Sequence, residues 1–349
     1  MKIVILRHSI RNRGGDRLVL DYCSYLAAQG HKIEYWTNEV STPFRIDQAI
    51  SIKRVPIPGI LGTMIFTLFK KFSGDIVLVD LIIMACLASL RNKKRILYLA
   101  QDYDVKYYKL GLLKALTRSC YSFGLNKLQI ITVCVSEGLA DILKQYKPKQ
   151  IKTVSNGVNL SIFYRDEKGR YQNQKERPFV ILLFARSDYR KGLDIGIRAV
   201  KELYKIRPGD DWEFWTIGTA KVEIPTIPAI RIKPFGFLKT DEELKDIFSA
   251  ADVYLVPSRS EGLSLLLLQA LASQCAVVAT EASHILHHET NALVSANEDW
   301  KALAENVNRV LNDFSLRSKL KENARRLAEQ YSLEKSCEKF EEVITSFGI

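Results

Sequence analysis

Residues 257–270 read Pro257-Ser258-Arg259-Ser260-Glu261-Gly262-Leu263-Ser264-Leu265-Leu266-Leu267-Leu268-Gln269-Ala270. An apolar strand ends just before them at Val256, and a helix starts near Ser264. A strand that passes through a short polar loop into a helix is the repeating unit of a parallel α/β sheet. The loop then lies at the carboxyl end of its strand, where open α/β sheets bind ligands. Glu261 is expected on that loop. The unpaired N–H groups of Ser264 and Leu265 are expected to face an anion such as phosphate. A plainer reading makes Ser264 a simple N-cap and Glu261 a surface carboxylate. The four leucines after Ser264 weaken it, because they bury the helix all round and leave its polar amino end exposed. Gln269 falls one to two turns into the helix.

Working outward, the same alternation continues on both sides. Upstream come Phe179–Ala185 as a strand, 192–204 as a helix, 212–217 as a strand, Asp241–Ala250 as a helix and Val253–Val256 as a strand. Downstream, Ala276–Thr280 is the next strand. Arg186 ends the first of these strands, and Lys191-Gly192 opens the helix after it. Two cations five positions apart at a strand's carboxyl end can meet one diphosphate, or they can share a solvated loop with Asp188 and Arg190. The first half repeats the pattern with strands at 3–6, 33–36, 75–79, 96–99 and 130–135. A helix over 16–29 is closed by Gly30, and a second helical stretch runs through 116–125. Gly14 and Gly15 precede the first helix, either as a plain turn or as a backbone loop for an anion. The polar, turn-rich stretch 161–178 reads as a linker. This gives an α/β protein with domains at 1–160 and 161–332, suited to 349 residues. A last helix over 333–349, apolar at Leu333, Cys337, Phe340, Ile344 and Phe347, packs on its own domain or returns to the first.

Composition excludes disorder, collagen and coiled coil, with 47% hydrophobic and 26% charged residues. The net charge of +12 is lopsided: residues 1–160 hold 24 Lys+Arg against 11 Asp+Glu, and residues 161–349 hold 27 against 28. An anionic partner is expected for the first half. Its cations cluster at Lys70 and Lys71, at Arg91 with Lys93, Lys94 and Arg95, and at Lys106, Lys109, Lys114 and Arg118. Ile60–Phe72 reads either as an interfacial amphipathic helix with a basic end or as a core-facing helix. Tyr98, Tyr103, Tyr107 and Tyr108 are candidates for a sugar-binding surface. No nucleic-acid motif accompanies the charge. The six cysteines lie among apolar neighbours at no zinc or C-x-x-C spacing, and read as reduced core residues of a cytoplasmic protein. The apolar run 76–90, with Asp80 inside, is too short to span a membrane and reads as a strand plus a buried helix. His284, His287 and His288 lack a completing ligand, and a helix-surface role is expected for them rather than zinc.

Several of these segments together resemble the retaining glycosyltransferases of family four, which have the GT-B fold. Pro257–Ala272 resembles their hallmark, with Glu261 at the first glutamate and Gln269 where a second is expected. Gly14-Gly15 resembles the amino-terminal glycine loop. Val154–Asn159 resembles the interdomain Asn-Gly-Val turn, Arg186 with Lys191-Gly192 the diphosphate clamp, and Asn291–Val294 the Asn-Gly-Leu-Val element. Pro234-Phe235-Gly236-Phe237 resembles the base-binding loop. The resemblance implies two Rossmann-like domains whose parallel sheets face a central cleft. It implies transfer of a sugar from a nucleotide diphosphate-sugar with retention, Arg186 and Lys191 neutralising the departing diphosphate without metal or other cofactor. Glu261 would hold donor hydroxyls and Gln269 would meet the ribose. Gly14, Gly15, Phe235, Gly236, Phe237, Gly262, Leu263, Ser264 and Leu265 would line the donor.

Two departures shape the expectation. Gln101 stands where the family commonly has an acceptor-side histidine, leaving Asp102 to orient the acceptor or to cap a turn. Gln269 replaces a carboxylate that can accept from two hydroxyls; a donor with one hydroxyl fewer on its pentose, a dTDP-sugar such as dTDP-rhamnose, fits beside a UDP-sugar. Asp102-Tyr103-Asp104 spells a metal-binding D-x-D, but it sits in the acceptor half and is discounted. The surplus charge of the first half is assigned to an anionic inner membrane face, contacted peripherally, and a lipid-linked saccharide acceptor. A nucleotide-sugar epimerase of the same fold and a non-catalytic sugar-nucleotide-binding protein are the competing readings.

Overall fold

The structure, a computed structural model, describes residues 1–43, 45–92, 95–171, 178–209, 211–218 and 230–346. Lys93, Lys94, Phe347 and the 172–177 part of the expected linker lie outside them. The chain forms two compact units, Met1–Gly157 with Glu334–Ile349, and Val158–Leu333.

The first unit is built on β1 (Lys2–Leu6), β2 (Ser9–Arg11), α1 (Gly14–Ala28), β3 (Lys32–Thr37), β4 (Glu39–Ser41), β5 (Ile50–Arg54) and α2 (Gly59–Phe69). It continues through β6 (Ile76–Val79), α3 (Ile82–Ser89), β7 (Ile96–Ala100), α4 (Gly111–Tyr121), β8 (Ile131–Cys134), α5 (Glu137–Lys144) and β9 (Ile151–Thr153). Seven strands form one parallel sheet in the order β5-β3-β1-β6-β7-β8-β9. β6 and β7 are buried at every residue, as expected of strands covered on both faces by helical crossovers. Gly30 has φ +85°, so the cap inferred from sequence is there. The helix expected through 116–125 begins earlier, at Gly111, and its last turns widen over Ser122–Lys127.

The second unit contains β10 (Phe179–Ala185), α6 (Leu193–Ile206), β11 (Trp212–Gly218), β12 (Arg231–Gly236), α7 (Asp241–Ala250) and β13 (Val253–Val256). After these come α8 (Leu265–Ala272), β14 (Ala276–Thr280), β15 (Leu293–Ser295), α9 (Trp300–Asn312) and α10 (Phe314–Gln330). The sheet order is β12-β11-β10-β13-β14-β15, again all parallel. Both units are thus Rossmann-like. The described part of the stretch read as a linker packs into this unit. Phe163 is buried in its core, and Asp166 Oδ2 pairs with Lys245 at 3.0 Å. The chain changes unit at Gly157/Val158 instead. There Val158 N–H donates to Tyr331 O at 2.8 Å and Val158 O accepts from Leu333 N–H at 2.9 Å, so the outgoing and returning strands are tied together.

The returning helix α11 (Leu333–Ser346) belongs to the first unit from Glu334 onward. Phe340 stacks on Tyr22 with ring centres 4.2 Å apart, and the Tyr22 hydroxyl meets Ser336 Oγ at 2.9 Å. His31 Nε2 lies 2.9 Å from Glu341 Oε1.

Candidate active site

In each sheet the strand order reverses at one place, between β1 and β6 and between β10 and β13. Such switch points open a crevice at the strands' carboxyl ends. Gly14, Gly15, Arg186, Lys191 and the Glu261 loop lie at the strand ends beside these points, whereas Phe235, Gly236 and Phe237 end edge strand β12 and Asp102 follows β7.

In the second unit the loops after β10 and β13 are locked together. Gly192 adopts φ +63°, and a Cβ there would stand 1.9 Å from Pro257 O, so only glycine fits. Arg259 N–H donates to Arg190 O at 2.7 Å. The result brings Lys191 onto Glu261: Nζ lies 2.9 Å from Oε1 and 2.7 Å from Oε2. Ser258 Oγ donates to Glu261 Oε1 at 2.6 Å. The Glu261 side chain is only 7% exposed, so the plain surface-carboxylate reading fails. A buried carboxylate is costly unless it is paired and hydrogen-bonded, and Glu261 has both a cation and a hydroxyl donor. Arg186 is half-buried at the end of β10, and its charge acts on Asp188.

Arg259, part of the quoted motif but given no role from sequence, braces this arrangement. Its guanidinium donates to Asp194 Oδ1 and Oδ2 at 2.8 and 2.7 Å, to Tyr189 O at 2.9 Å and to Glu298 Oε2 at 3.1 Å. It also lies 3.9 Å from the Tyr189 ring centre. Spacing within the motif could not show this, because the partners come from segments 39 and 65 residues away.

Ser264 caps α8, its Oγ accepting from Leu267 N–H at 3.4 Å. Leu267 and Leu268 are buried, whereas Leu265 and Leu266 are half-buried, so the helix is not buried all round as its sequence suggested. Leu263 is buried, Gly262 half-buried, and Gln269 is 7% exposed. Phe237 is 53% exposed beyond Gly236, which has φ +65° at the end of edge strand β12. Phe235 is half-buried and packs on Trp215 at 5.0 Å between ring centres. None of the three histidines stands on a helix: His284 is in a turn, His287 in irregular chain and His288 in an isolated bridge to Ala292, its Nδ1 accepting from Val294 N–H at 3.0 Å. Among the described residues no group of three or more His, Cys, Asp or Glu is arranged to hold a metal.

At the first unit's switch point, Gly14 and Gly15 open α1. Gly15 O accepts from Arg7 Nη1 at 2.8 Å and Gln101 Nε2 at 3.1 Å, and a Cβ on Gly15 would meet Gln101 Oε1 at 1.9 Å. Arg7 also pairs with Asp16 Oδ1 at 2.8 Å and Asp80 Oδ2 at 2.7 Å. Burial raises the Asp16 carboxyl, and Arg7 opposes that shift. This buried Arg7–Asp16–Asp80 cluster escaped the sequence reading, since its members come from β1, α1 and the end of β6. Asp102 is half-buried, and its Oδ1 accepts from Tyr103 N–H at 2.8 Å.

The proposed tyrosine surface is corrected. Tyr98 is fully buried, its hydroxyl 2.9 Å from Tyr121 and 3.2 Å from Asp104 Oδ1. Tyr103 packs at a tilt against Tyr121 and Tyr146, and Tyr107 is 44% exposed. Asp104 Oδ2 accepts from Ile82 N–H at 2.8 Å, so the second aspartate of the D-x-D is spent inside the fold. His8 is likewise engaged, its Nδ1 3.0 Å from Thr63 Oγ1.

α2 is turned inside out. Thr63 and Thr67 are buried, and Thr67 Oγ1 donates to Thr63 O at 2.6 Å, while Ile60, Leu61, Ile65 and Phe69 are exposed. α4 does the same: Thr117 is buried, and Leu112 and Leu116 are 82% and 52% exposed. α3 touches both helices. Lys71, Arg91, Lys106, Lys109 and Arg118 are exposed in the same segments, with Lys70 and Lys114 half-buried. No helix among the described residues is long and apolar enough to cross a membrane.

Comparison with known proteins covers both units. Residues 12–162 match the family model described as Glycosyltransferase Family 4, and residues 178–313 match that described as Glycosyl transferases group 1. An uncharacterized glycosyltransferase of Haemophilus influenzae is 21% identical over 98% of this chain and 99% of its own. The N,N'-diacetylbacillosaminyl-diphospho-undecaprenol alpha-1,3-N-acetylgalactosaminyltransferase of Campylobacter jejuni is 25% identical over 67% of this chain and 64% of its own. Among solved structures, Anabaena HepE in complex with UDP and glucose superposes with a TM-score of 0.79 at 16% identity, covering 99% of this chain and 100% of its own. That last likeness shows the fold.

Proposed function

We propose that this chain, a glycosyltransferase of the GT-B type, moves a sugar from a nucleotide diphosphate-sugar to a lipid-linked saccharide, with retention and without a metal. One observation carries the reading: Lys191 sits astride both oxygens of the buried Glu261 at the switch point of the second sheet. A cation held in that position faces the charge that grows on a departing diphosphate. Such preorganised stabilisation is commonly the largest catalytic contribution. Arg186 adds a second positive charge, and the amino end of α8 supplies N–H donors. Glu261 accepts hydroxyls of the donor sugar, held in place by Lys191 and Ser258. The leaving group departs and the acceptor attacks on one face, so the anomeric configuration is kept without a covalent intermediate.

Gln269, almost buried five residues into α8, is assigned to the pentose. Its amide offers one accepting and one donating group in place of a carboxylate, which favours a deoxyribose and hence a dTDP-sugar, dTDP-rhamnose among them. On the acceptor side Asp102 orients the incoming hydroxyl. The outward leucines of α2 and α4 and their cations support a lipid-linked acceptor, because they suit an anionic bilayer contacted peripherally. The Campylobacter relative, whose name includes a diphospho-undecaprenol, supports a lipid diphosphate.

Side-by-side assays with UDP- and dTDP-donors and an undecaprenyl diphosphate-linked saccharide, in EDTA, test the reading. Transfer should persist in EDTA, and Lys191→Ala should lower kcat by about 10²–10³-fold. Abolition by EDTA would overturn the metal-free reaction, and equal or better use of UDP-donors would overturn the dTDP assignment.

A further inference from the structure

The single 3₁₀ turn Tyr189–Lys191, between β10 and α6, buries none of its three residues. It has no apolar anchor of its own, and Tyr189 is 67% exposed. Arg259 supplies the anchor. Its main-chain N–H donates to Arg190 O at 2.7 Å, and its Nη1 donates to Tyr189 O at 2.9 Å. One residue thus holds both carbonyls that immediately precede Lys191. On the other side of Lys191, Asp194 in the first turn of α6 accepts from Nη1 and Nη2 at 2.8 and 2.7 Å. Arg259 itself stands two residues before Glu261, whose carboxylate meets the Lys191 ammonium. We infer that Arg259 is a positioning residue, which sets Lys191 against Glu261 for the departing diphosphate and does not bind the diphosphate itself. The inference rests on the glycosyl-transfer reading and adds a residue to it.

The donors of the two cations divide accordingly. A guanidinium carries five N–H groups and an ammonium three. Arg259 spends all five: Nε and one Nη2 N–H on Glu298, one N–H from each Nη on Asp194, and the last Nη1 N–H on Tyr189 O. Its side chain is 11% exposed, and its guanidinium carbon lies 3.9 Å from the Tyr189 ring centre. Two carboxylates already balance its charge. A diphosphate oxygen could reach it only by displacing one of these partners. Lys191 spends two N–H groups on Glu261, and among the described residues the third has no partner. The donor left for a ligand therefore belongs to Lys191, and the frame belongs to Arg259. The frame needs the planar fork, because an ammonium is a point charge that cannot bridge two carboxylates and a carbonyl at once.

The test uses the full chain and a nucleotide diphosphate-sugar donor. Arg259→Ala should lower kcat by about 10²-fold, the scale of a misplaced catalytic group. Arg259→Lys should recover little of that loss. A misplaced Lys191 can be lost only once, so adding Arg259→Ala to Lys191→Ala should lower kcat no further. A merely structural Arg259 would cost the same factor in both backgrounds, and that result would overturn the inference. Full recovery in Arg259→Lys would overturn it too. Hydrogen exchange reads the frame without the reaction. In Arg259→Ala the amides of residues 189–194 should exchange faster while β10 and β13 keep their protection; unchanged exchange there would overturn the inference. In a wild type that transfers no sugar from any donor, quickened exchange still supports the frame, and the transfer reading is what fails. If Arg259→Ala does not fold, Arg259→Lys takes its place in both comparisons.

Discussion

A single carboxyl, Asp104, shows how burial writes pH dependence into this chain. It is 3% exposed, and burial pushes it up to about 8. Unfolded, an aspartate titrates near about 3.9. Between those values the folded chain keeps a proton that the unfolded chain has lost. Stability therefore falls as pH rises through this window, by at most about 1.4 kcal/mol per pH unit, and levels off above it. Asp104→Asn removes the titration. Denaturant unfolding across the window should show the variant gaining on wild type as pH climbs; a constant difference would show that burial is not the cause. The contrast with Glu261 is instructive. Its place on the loop between β13 and α8 was readable because the strand, loop and helix follow one another within one short stretch. Its contact with Lys191 was not, because the two come from loops 70 residues apart. Asp104 was not readable, because its environment is made by Ile82, Tyr98 and Tyr121. The same holds for Arg7 between Asp16 and Asp80 and for Arg259 between Asp194 and Glu298. Ion pairs that join separate elements leave no periodic signal in a sequence.

At the scale of elements, the strands were legible because a fully covered parallel strand is a continuous apolar run. The helices α2 and α4 were ambiguous for a physical reason. Apolar periodicity finds the greasy face but not its direction, and here the threonines face in and the leucines face out. Burying one leucine is worth about 1.5–3 kcal/mol, and each cation near an anionic surface adds about 1 kcal/mol. The double variant Leu112→Glu with Leu116→Glu should therefore lower binding to anionic lipid vesicles by roughly tenfold or more at low salt. Binding left unchanged would remove α4 from the interface. The returning helix α11 was read with its destination open, since an apolar stripe does not name its partner. Its Phe340–Tyr22 stack makes a separate prediction. Phe340→Ala should cost about 3–5 kcal/mol, and hydrogen exchange should quicken in α1 while the strands of the second unit keep their protection. Equal loosening of both units would contradict the assignment of α11 to the first.

Across the whole molecule the charge divides as the two units do, with the excess of cations in residues 1–160 and near neutrality beyond. That split was visible in composition, and so was the repeated strand-helix order that makes two Rossmann-like units. The boundary was displaced because 161–171 looks like a linker in composition yet packs through Phe163 and Asp166. Composition reports polarity, whereas unit membership depends on contacts. The proposed function reads that split as a donor side that needs few, well-placed charges and an acceptor side whose surplus would meet a lipid surface. The central claim is retaining transfer from a nucleotide diphosphate-sugar. It is tested most directly by proton NMR of the glycoside made from an α-linked donor on an undecaprenyl diphosphate-linked saccharide. The account expects an α-linked product with release of one nucleoside diphosphate per sugar moved. A β-linked product, or no transfer with any UDP- or dTDP-donor, would contradict it.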